Sequence, residues 1–405
     1  MLVVGIDVSK NKSTVSILDQ SGKCLRKPFE VEHCKSSLNA LVDLFFSFNE
    51  ELKIVMESTS IYHLPIVDFL KSRNFFVSVI NPLVLKKWRA QNLRPVKTDR
   101  QDSIAIAKYG CEKWFSLKNF YPENTIYSEL KILGRQYAHY IELHISALQE
   151  LNHIVDQTMP GIKTLFPIIN NPSGKNKFAD FVGKYEHFDK ITSFSENEFI
   201  TDYNSWAKQN GYFPNSKKAK AIYSKATDGI PFISFNKTTK FLILEAVRVL
   251  REIDFTLHKI LSQMMELAKT LPEYAIVKSM RGVGDKLAVK LIAEIGDVRR
   301  FHTGKSLIAF AGIDVIPYQS GNFKSENRKI SKRGSSLLRK IGYEVMMCIK
   351  AHKPKVPDAI YDFIVKKESE GKAKRVAKIA GLNKFLRIYY ARIKELYLDL
   401  GIDFC

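Results

Sequence analysis

The chain has 405 residues, with 63 Lys and Arg against 42 Asp and Glu, a formal charge of +21, an apolar fraction of 45% and an aromatic fraction of 11%. That length exceeds the ~150 residues of an average domain and predicts two or three domains, each burying a core without disulfide or metal staples. The composition excludes a disordered basic tail, and a charge beyond what solubility requires calls for a polyanionic partner.

Leu2–Val8, Ser13–Leu18 and Leu25–Val31 read as short strands, the second turn carrying the hairpin signal Gln20-Ser21-Gly22. A helix near Ser37–Phe48, a strand Lys53–Met56, a helix Tyr62–Ser72, a strand Phe75–Ile80 and helical segments near Pro82–Ala90 and Arg100–Lys113 follow. Three antiparallel strands followed by β-α-β-α units is the element order of the ribonuclease-H-like fold.

From Thr125 to about Thr158, apolar residues such as Leu130, Leu133, Tyr137 and Ile141 recur in steps of three and four, predicting one long amphipathic helix. A second runs over Phe241–Leu271 with the seam Leu242, Ala246, Val249, Ile253, Leu257, Ile260 and Met264. The two helices could pair as an antiparallel coiled coil within one chain or zip onto a second copy. Between them, residues 160–240 form an insert rich in Asn, Lys, Ser and aromatics, in which Pro160, Pro167, Pro172, Pro214 and Pro231 break any long helix.

The last third opens with Met280-Arg281-Gly282-Val283-Gly284 before a helical Asp285–Ile295, which has the look of a helix-hairpin-helix turn. Backbone N–H groups at Gly282 and Gly284 could seat a phosphate at that helix start, although a plain loop has the same letters. The expected fold class is α/β plus α. A ribonuclease-H-like domain spans 1–124, a helical coiled-coil region with the insert spans 125–270, and a mainly helical domain spans 271–405.

The charge is uneven: +5 over residues 1–125, +3 over 126–270 and +13 over 271–405. A smaller basic cluster, Lys86, Lys87, Arg89, Arg94, Lys97 and Arg100, surrounds Trp88 with only Asp99 among it. The five cysteines are widely spaced with no CxxC pair, which argues against a disulfide framework or zinc site and fits a reducing cytoplasm. No run approaches the ~18 apolar residues of a membrane span, so no membrane partner is expected.

Four carboxylates stand out. Asp7 lies inside the apolar strand Val3–Val8, where an unpaired charge is costly, and Glu57 closes the strand Ile54–Met56, expected beside it. Asp99 and Asp102, three residues apart at a helix start, share one face. Two carboxylates ~4 Å apart repel by ~4 kcal/mol at an effective dielectric near 20. Four in one cleft therefore call for cations, and a pair of Mg²⁺ ions suits oxygen ligands and phosphodiester chemistry. Separate helix caps and buried ion pairs are the alternative.

The stretches GIDVSK with Asp7, MESTSIY with Glu57, VINP, and KTDRQDSIAIA with Asp99 and Asp102 resemble the insertion-sequence 110 family of DEDD/serine transposases, related to the Piv and MooV DNA invertases. SMRGVGDKLA, AEIGDVRRF, AFAGI, YQSG and ISKRGSSLLRK resemble the family's second half. The resemblance implies a RuvC-like N-terminal domain with a metal site of Asp7, Glu57, Asp99 and Asp102, and a nucleophilic Ser320, which without it would read as an ordinary turn residue. It also implies donor and target DNA, a structured non-coding guide (bridge) RNA and a homo-oligomer, dimer or tetramer. Lys86, Lys87, Trp88, Arg89, Arg94, Lys97 and Arg100, with Arg281, Gly282, Gly284, Lys329, Lys332, Arg333 and Arg339, are the expected nucleic-acid contacts. A hydrolytic junction-resolving nuclease using the same carboxylates, or an inactive nucleic-acid-binding protein, are the competing functions.

Overall fold

The computed structural model describes residues 1–405 apart from 60, 91–97, 121–124, 167–175, 316–318, 321–322, 325–328, 355 and 403–405, and the backbone alone of 319, 320, 323 and 324. It divides into two compact units, Met1–Pro122 and Glu123–Cys405.

The first unit is a mixed five-stranded sheet. Its strands are β1 (Leu2–Val8), β2 (Lys12–Asp19), β3 (Cys24–Glu32), β4 (Leu52–Glu57) and β5 (Phe76–Ile80), in the order β3-β2-β1-β4-β5. Strand β1 pairs antiparallel with β2 and parallel with β4, the topology expected of a ribonuclease-H-like domain. Helices α1 (Lys35–Ser47), α2 (His63–Lys71), α3 (Pro82–Arg89) and α4 (Asp99–Glu112) complete the unit. The alternation of a strand sorts β1 onto two faces. Leu2, Val4, Ile6 and Val8 share a core with Leu41 and Phe45 of α1 and Ile66 and Leu70 of α2. Val3 packs with Val55, Leu85 of α3, and Ile106 and Ala107 of α4. Each such fully buried aliphatic side chain contributes about 1.5–3 kcal/mol, so β1 is pinned from both sides.

In the second unit, α5 (Thr125–Thr158) is followed by α6 (Lys177–Tyr185), α7 (Phe188–Thr192), α8 (Glu196–Gln209), α9 (Ser216–Asp228) and α10 (Lys237–Lys269). Helices α5 and α10 run antiparallel. Tyr127 and Leu130 share a core with Met264 and Ala268, while Leu151 and Val155 meet Ile243, Val247 and Leu250. His144 reaches Asp254 across the middle at 3.0 Å. The pairing is thus made inside one chain. The seam differs from the sequence expectation in its first half, where Ile243, Val247 and Leu250 are buried and Leu242 and Val249 are exposed. A 3.6-residue helix drifts against a seven-residue repeat, and the insert's α6 covers this end of α10.

The insert is a helical satellite with an aromatic core. The Phe181 ring centroid lies 4.7 Å from that of Phe166 and 4.8 Å from that of Tyr185, tilted against both, and Phe199, Tyr203 and Trp206 pack around them. Beyond α10 come α11 (Glu273–Ser279), α12 (Asp285–Ile295), α13 (Gly304–Ala311), a ribbon of β6 (Gln319–Ser320) and β7 (Phe323–Lys324), α14 (Ser336–Ala351), α15 (Ala359–Ser369) and α16 (Lys374–Asp399). Helix α12 buries Ala288, Val289, Leu291, Ile292, Ala293 and Ile295, a nearly all-round apolar surface that makes it the central helix of this half. The fully buried Glu273 carboxylate accepts hydrogen bonds from the Tyr127 and Tyr397 hydroxyls, clasping α11 to α5 and α16. Among the described residues no helix is long and apolar enough to cross a membrane.

Candidate active site

The parallel β1–β4 ladder runs from Leu2 opposite Leu52 to Ile6 opposite Met56, so Asp7 and Glu57 stand at its next rung. Asp7 follows Val3 and Gly5 on the α4 face of the sheet, and Glu57 follows Val55 there.

Helix α4 reaches that rung because two glycines let it sit on the sheet. A Cβ at Gly5 would lie 2.2 Å from the Ser103 carbonyl oxygen and 2.5 Å from the Ala107 nitrogen, and one at Gly110 would lie 2.6 Å from Val3. Only glycine permits such backbone approach. Thr98 caps the helix by accepting from the Gln101 N–H, and Asp99 and Asp102 occupy its first turn, where the helix dipole favours negative charge.

Asp7 feels the other three carboxylates. Asp7 is pushed up from 3.8 to about 6, by burial first, then by Asp102, Asp99 and Glu57, while Arg89 pulls it down. Arg89 donates from Nη1 to Asp102 Oδ1 at 2.8 Å and from Nη2 to the Asp102 carbonyl at 3.1 Å. Among the described residues no three His, Cys, Asp or Glu side chains close into a ready metal cage. The donor set itself, hard carboxylate oxygens around a half-buried Asp7 whose charge they oppose, suits a hard divalent cation and not zinc. A cavity of about 670 Å³ lies in the same unit, lined by Lys10, Lys12, His33 and Tyr62 among others.

The expected nucleic-acid contacts divide into those the fold leaves free and those it engages. Lys86, Lys87 and Arg100 are exposed, whereas Arg89 is held by Asp102 and Trp88 donates to Glu112 at 2.6 Å. Arg94 and Lys97 lie outside the described residues. In the other unit, Arg281, Lys329, Lys332 and Arg333 are exposed. Arg339 donates to the Ala311, Gly334 and Ser335 carbonyls at 2.9–3.3 Å, closing the end of α13 onto the start of α14. Gly282 sits at φ +74°, with its missing Cβ 2.5 Å from Ile349 of α14, so packing alone demands glycine. Gly284, which precedes α12, has open space where a Cβ would stand.

Ser320 ends β6 and pairs antiparallel with Phe323 of β7; its side chain lies outside the described residues. Sequence reasoning had missed Gly5 and Gly110 as the seat of α4, and Arg89 as the partner of Asp102. A glycine inside a buried strand was the available signal for Gly5; nothing in the letters pointed to Arg89.

Residues 4–160 match a transposase family model of the DEDD IS110 type, and residues 274–361 match one described as Transposase IS116/IS110/IS902 family. The chain is 36% identical over 77 residues to the transposase for insertion sequence element IS1111A of Coxiella burnetii, covering 19% of this chain and 21% of that relative's length. The pilin gene-inverting proteins of Moraxella lacunata and Moraxella bovis are 21% and 22% identical over 344 residues, 85% of this chain and 80% of theirs. Among solved structures, Thermus thermophilus RuvC in complex with a Holliday junction substrate is similar over 30% of this chain and 99% of its own, at 13% identity and a TM-score of 0.24.

Proposed function

Because the chain belongs to the IS110 family of transposases, we propose that it is a DNA recombinase that cuts and rejoins strands through Ser320. Asp7, Glu57, Asp99 and Asp102 hold the divalent cations, most naturally Mg²⁺, of that site. The observation that carries the reading is Asp7, a carboxyl whose proton is retained to about pH 6 because burial and three other carboxylates oppose its charge.

Strand ends and a glycine-seated helix are rigid supports, so they fix oxygen ligands without a reorganisation cost. Asp7, Glu57, Asp99 and Asp102 would hold a pair of Mg²⁺ ions there, which would supply charge stabilisation for phosphodiester transfer. The Ser320 hydroxyl gives up its proton to a base and forms an oxygen–phosphorus bond as the bond from phosphorus to the sugar oxygen breaks. That sugar oxygen takes up a proton and leaves as a hydroxyl. The phosphodiester energy is kept in the phosphoserine link, and a hydroxyl of the new partner strand restores Ser320 by the reverse exchange. Water in place of Ser320 only cuts.

The exposed Lys86, Lys87 and Arg100 in the first unit, and the +13 charge of residues 271–405 with the exposed Arg281, Lys329, Lys332 and Arg333 in the second, support a backbone-reading surface on each unit for DNA and for a structured guide RNA. In this reading Gly284 opens a helix-hairpin-helix-like phosphate seat at α12, base pairing with the RNA supplies sequence specificity, and the protein works as a dimer or tetramer. The labour divides among a catalytic domain 1–124, a coiled-coil and insert region 125–270 and a serine-bearing domain 271–405.

The deciding assay is cleavage of cognate DNA with Mg²⁺ and the RNA that co-purifies with the protein. A covalent protein–DNA adduct is expected, and it disappears in Ser320→Ala. Cleavage that persists in that variant without any adduct would instead establish a hydrolytic nuclease.

A further inference from the structure

Over residues 126–270 the charge is nearly balanced, which conceals a local excess: residues 203–240 hold seven lysines and one acidic residue, Asp228. Two lysines of the insert, Lys177 at the start of α6 and Lys218 in the first turn of α9, are half-buried rather than splayed into water. Each lies over aromatic rings. Lys218 Nζ stands 3.8 Å from the centroid of Phe166, and Lys177 Nζ stands 5.1 Å from Tyr212 and 5.6 Å from Tyr203.

Neither ammonium has a carboxylate within ion-pair distance among the described residues. Asp180, the acid three residues along from Lys177, is taken by Arg251 at 2.6 Å and by the Tyr212 hydroxyl. The segment 167–175 contains no Asp or Glu. Burial, then the charge of Lys177, pushes Lys218 down to about 8, and burial lowers Lys177. Ring faces stabilise a cation by only about 0.5–2 kcal/mol, less than the several kcal/mol that desolvating an ion costs.

Beside the pair stands Phe213, 92% exposed in the turn between α8 and α9. Gly211 at φ +74° and Pro214 bracket that turn, and the Lys177 ammonium donates to the Phe213 carbonyl at 3.4 Å. An aromatic side chain open to water next to two cations without a carboxylate is the combination that single-stranded nucleic acid requires. Cations track its backbone, and rings stack on unpaired bases of any sequence.

We propose that Lys177, Lys218 and Phe213 form a site in the insert for an unpaired nucleotide of a nucleic-acid strand, the two ammonium groups seating its phosphate and Phe213 stacking on its base. The proposal deepens the nucleic-acid reading of the chain, but its test reads binding alone. Its failure is therefore distinct from a failure of the serine chemistry.

The full-length protein is titrated with fluorescent oligouridylate, oligothymidylate and a mixed-sequence duplex, at several salt concentrations. Phe213→Ala is expected to weaken single-strand binding about tenfold, at the lower end of base–aromatic stacking, and to leave duplex affinity unchanged. Lys177→Gln with Lys218→Gln is expected to flatten the log–log salt dependence on single strands by about 0.7–1.4, one or two phosphates' worth. The corresponding double arginine variant retains binding, which separates lost charge from lost packing. A larger loss on oligouridylate names RNA as the occupant, and a larger loss on oligothymidylate names DNA. Phe213 is exposed, so its variant keeps the wild-type melting temperature, and single-strand binding unchanged in a folded Phe213→Ala protein overturns the site. Equal losses on single strands and duplex also overturn it, because they would report a general charge effect.

Discussion

The carboxylates at the end of β1 and the lysine pair of the insert are opposite in sign and alike in physics. In each, like charges are crowded against partly buried surface, and a member of the group departs from its ordinary titration in the direction that sheds charge: Asp7 keeps its proton to about 6 and Lys218 releases its own near 8. The sign of the crowded charge matches the sign of the ligand proposed for each, a cation at the first and an anion at the second. They differ in how firmly they are held. Asp7, Glu57, Asp99 and Asp102 are short side chains on a sheet and on a helix that touches it through Gly5. The lysines are long chains lying over rings. The first arrangement suits the proposed chemistry, which needs fixed atoms, and the second suits the proposed hold on a flexible strand.

The sharpest test of this contrast is Asp102→Asn, which keeps shape and removes one ligand charge. Strand cleavage is expected to fall roughly 10³-fold, the scale of losing a preorganised electrostatic contact to the transition state. Single-strand binding at the insert is expected to stay at the wild-type level. Cleavage at the wild-type rate in this variant would remove Asp102 from the metal site and leave it as the partner of Arg89.

Next in size is Gly5→Ala, which attacks the rigidity of the first site without touching a carboxylate. The added methyl would overlap the Ser103 carbonyl and the Ala107 nitrogen, so α4 must lift away. A loss of about 3 kcal/mol in the stability of the first unit is expected, at the upper end of overpacking costs, measured by denaturant unfolding. An unchanged midpoint would mean that α4 is free to slide and that Asp99 and Asp102 are not fixed by it.

Much of this was legible in the letters, and the boundary of legibility is physical. Strand alternation is a local pattern, so β1 to β5 and the placement of Asp7 and Glu57 followed from spacing, and the long α5 was legible from Thr125 to Thr158 for the same reason. The buried face of α10 was not, because which of two adjacent apolar rows is covered depends on what packs there, and the insert decides it near Ile243. Charged residues were the least legible. Arg89 and Arg339 read as surface cations, but one is drawn to Asp102 and the other to backbone carbonyls by neighbours distant in sequence. Lys177 and Lys218 sat unnoticed in a charge count that nearly cancels. A count carries sign, whereas function follows from which charges lack a partner.

The smallest effect tests the premise of the comparison, that Asp7 is held against its preference for ionisation. A carboxyl raised from 3.8 to about 6 keeps its proton in the folded protein over a range where the unfolded chain has lost it. Its contribution to stability is therefore complete below 3.8, is lost as pH rises through about 6, and stays lost above that. The full gap corresponds to about 3 kcal/mol, and the partial exposure of Asp7 to solvent reduces this to about 1 kcal/mol. Asp7→Asn removes the ionisation, so the first unit of this variant is expected to be more stable than wild type by about 1 kcal/mol at pH 8. The advantage should vanish below pH 4. Added Mg²⁺ should raise the melting temperature of the wild-type protein at pH 8 and leave Asp7→Asn nearly unmoved, because the ion relieves the same repulsion that the amide removes. If Asp7→Asn were instead less stable at pH 8, the pull of Arg89 would outweigh burial and the three carboxylates, and Asp7 would belong to an ion-pair network and not to a cation site.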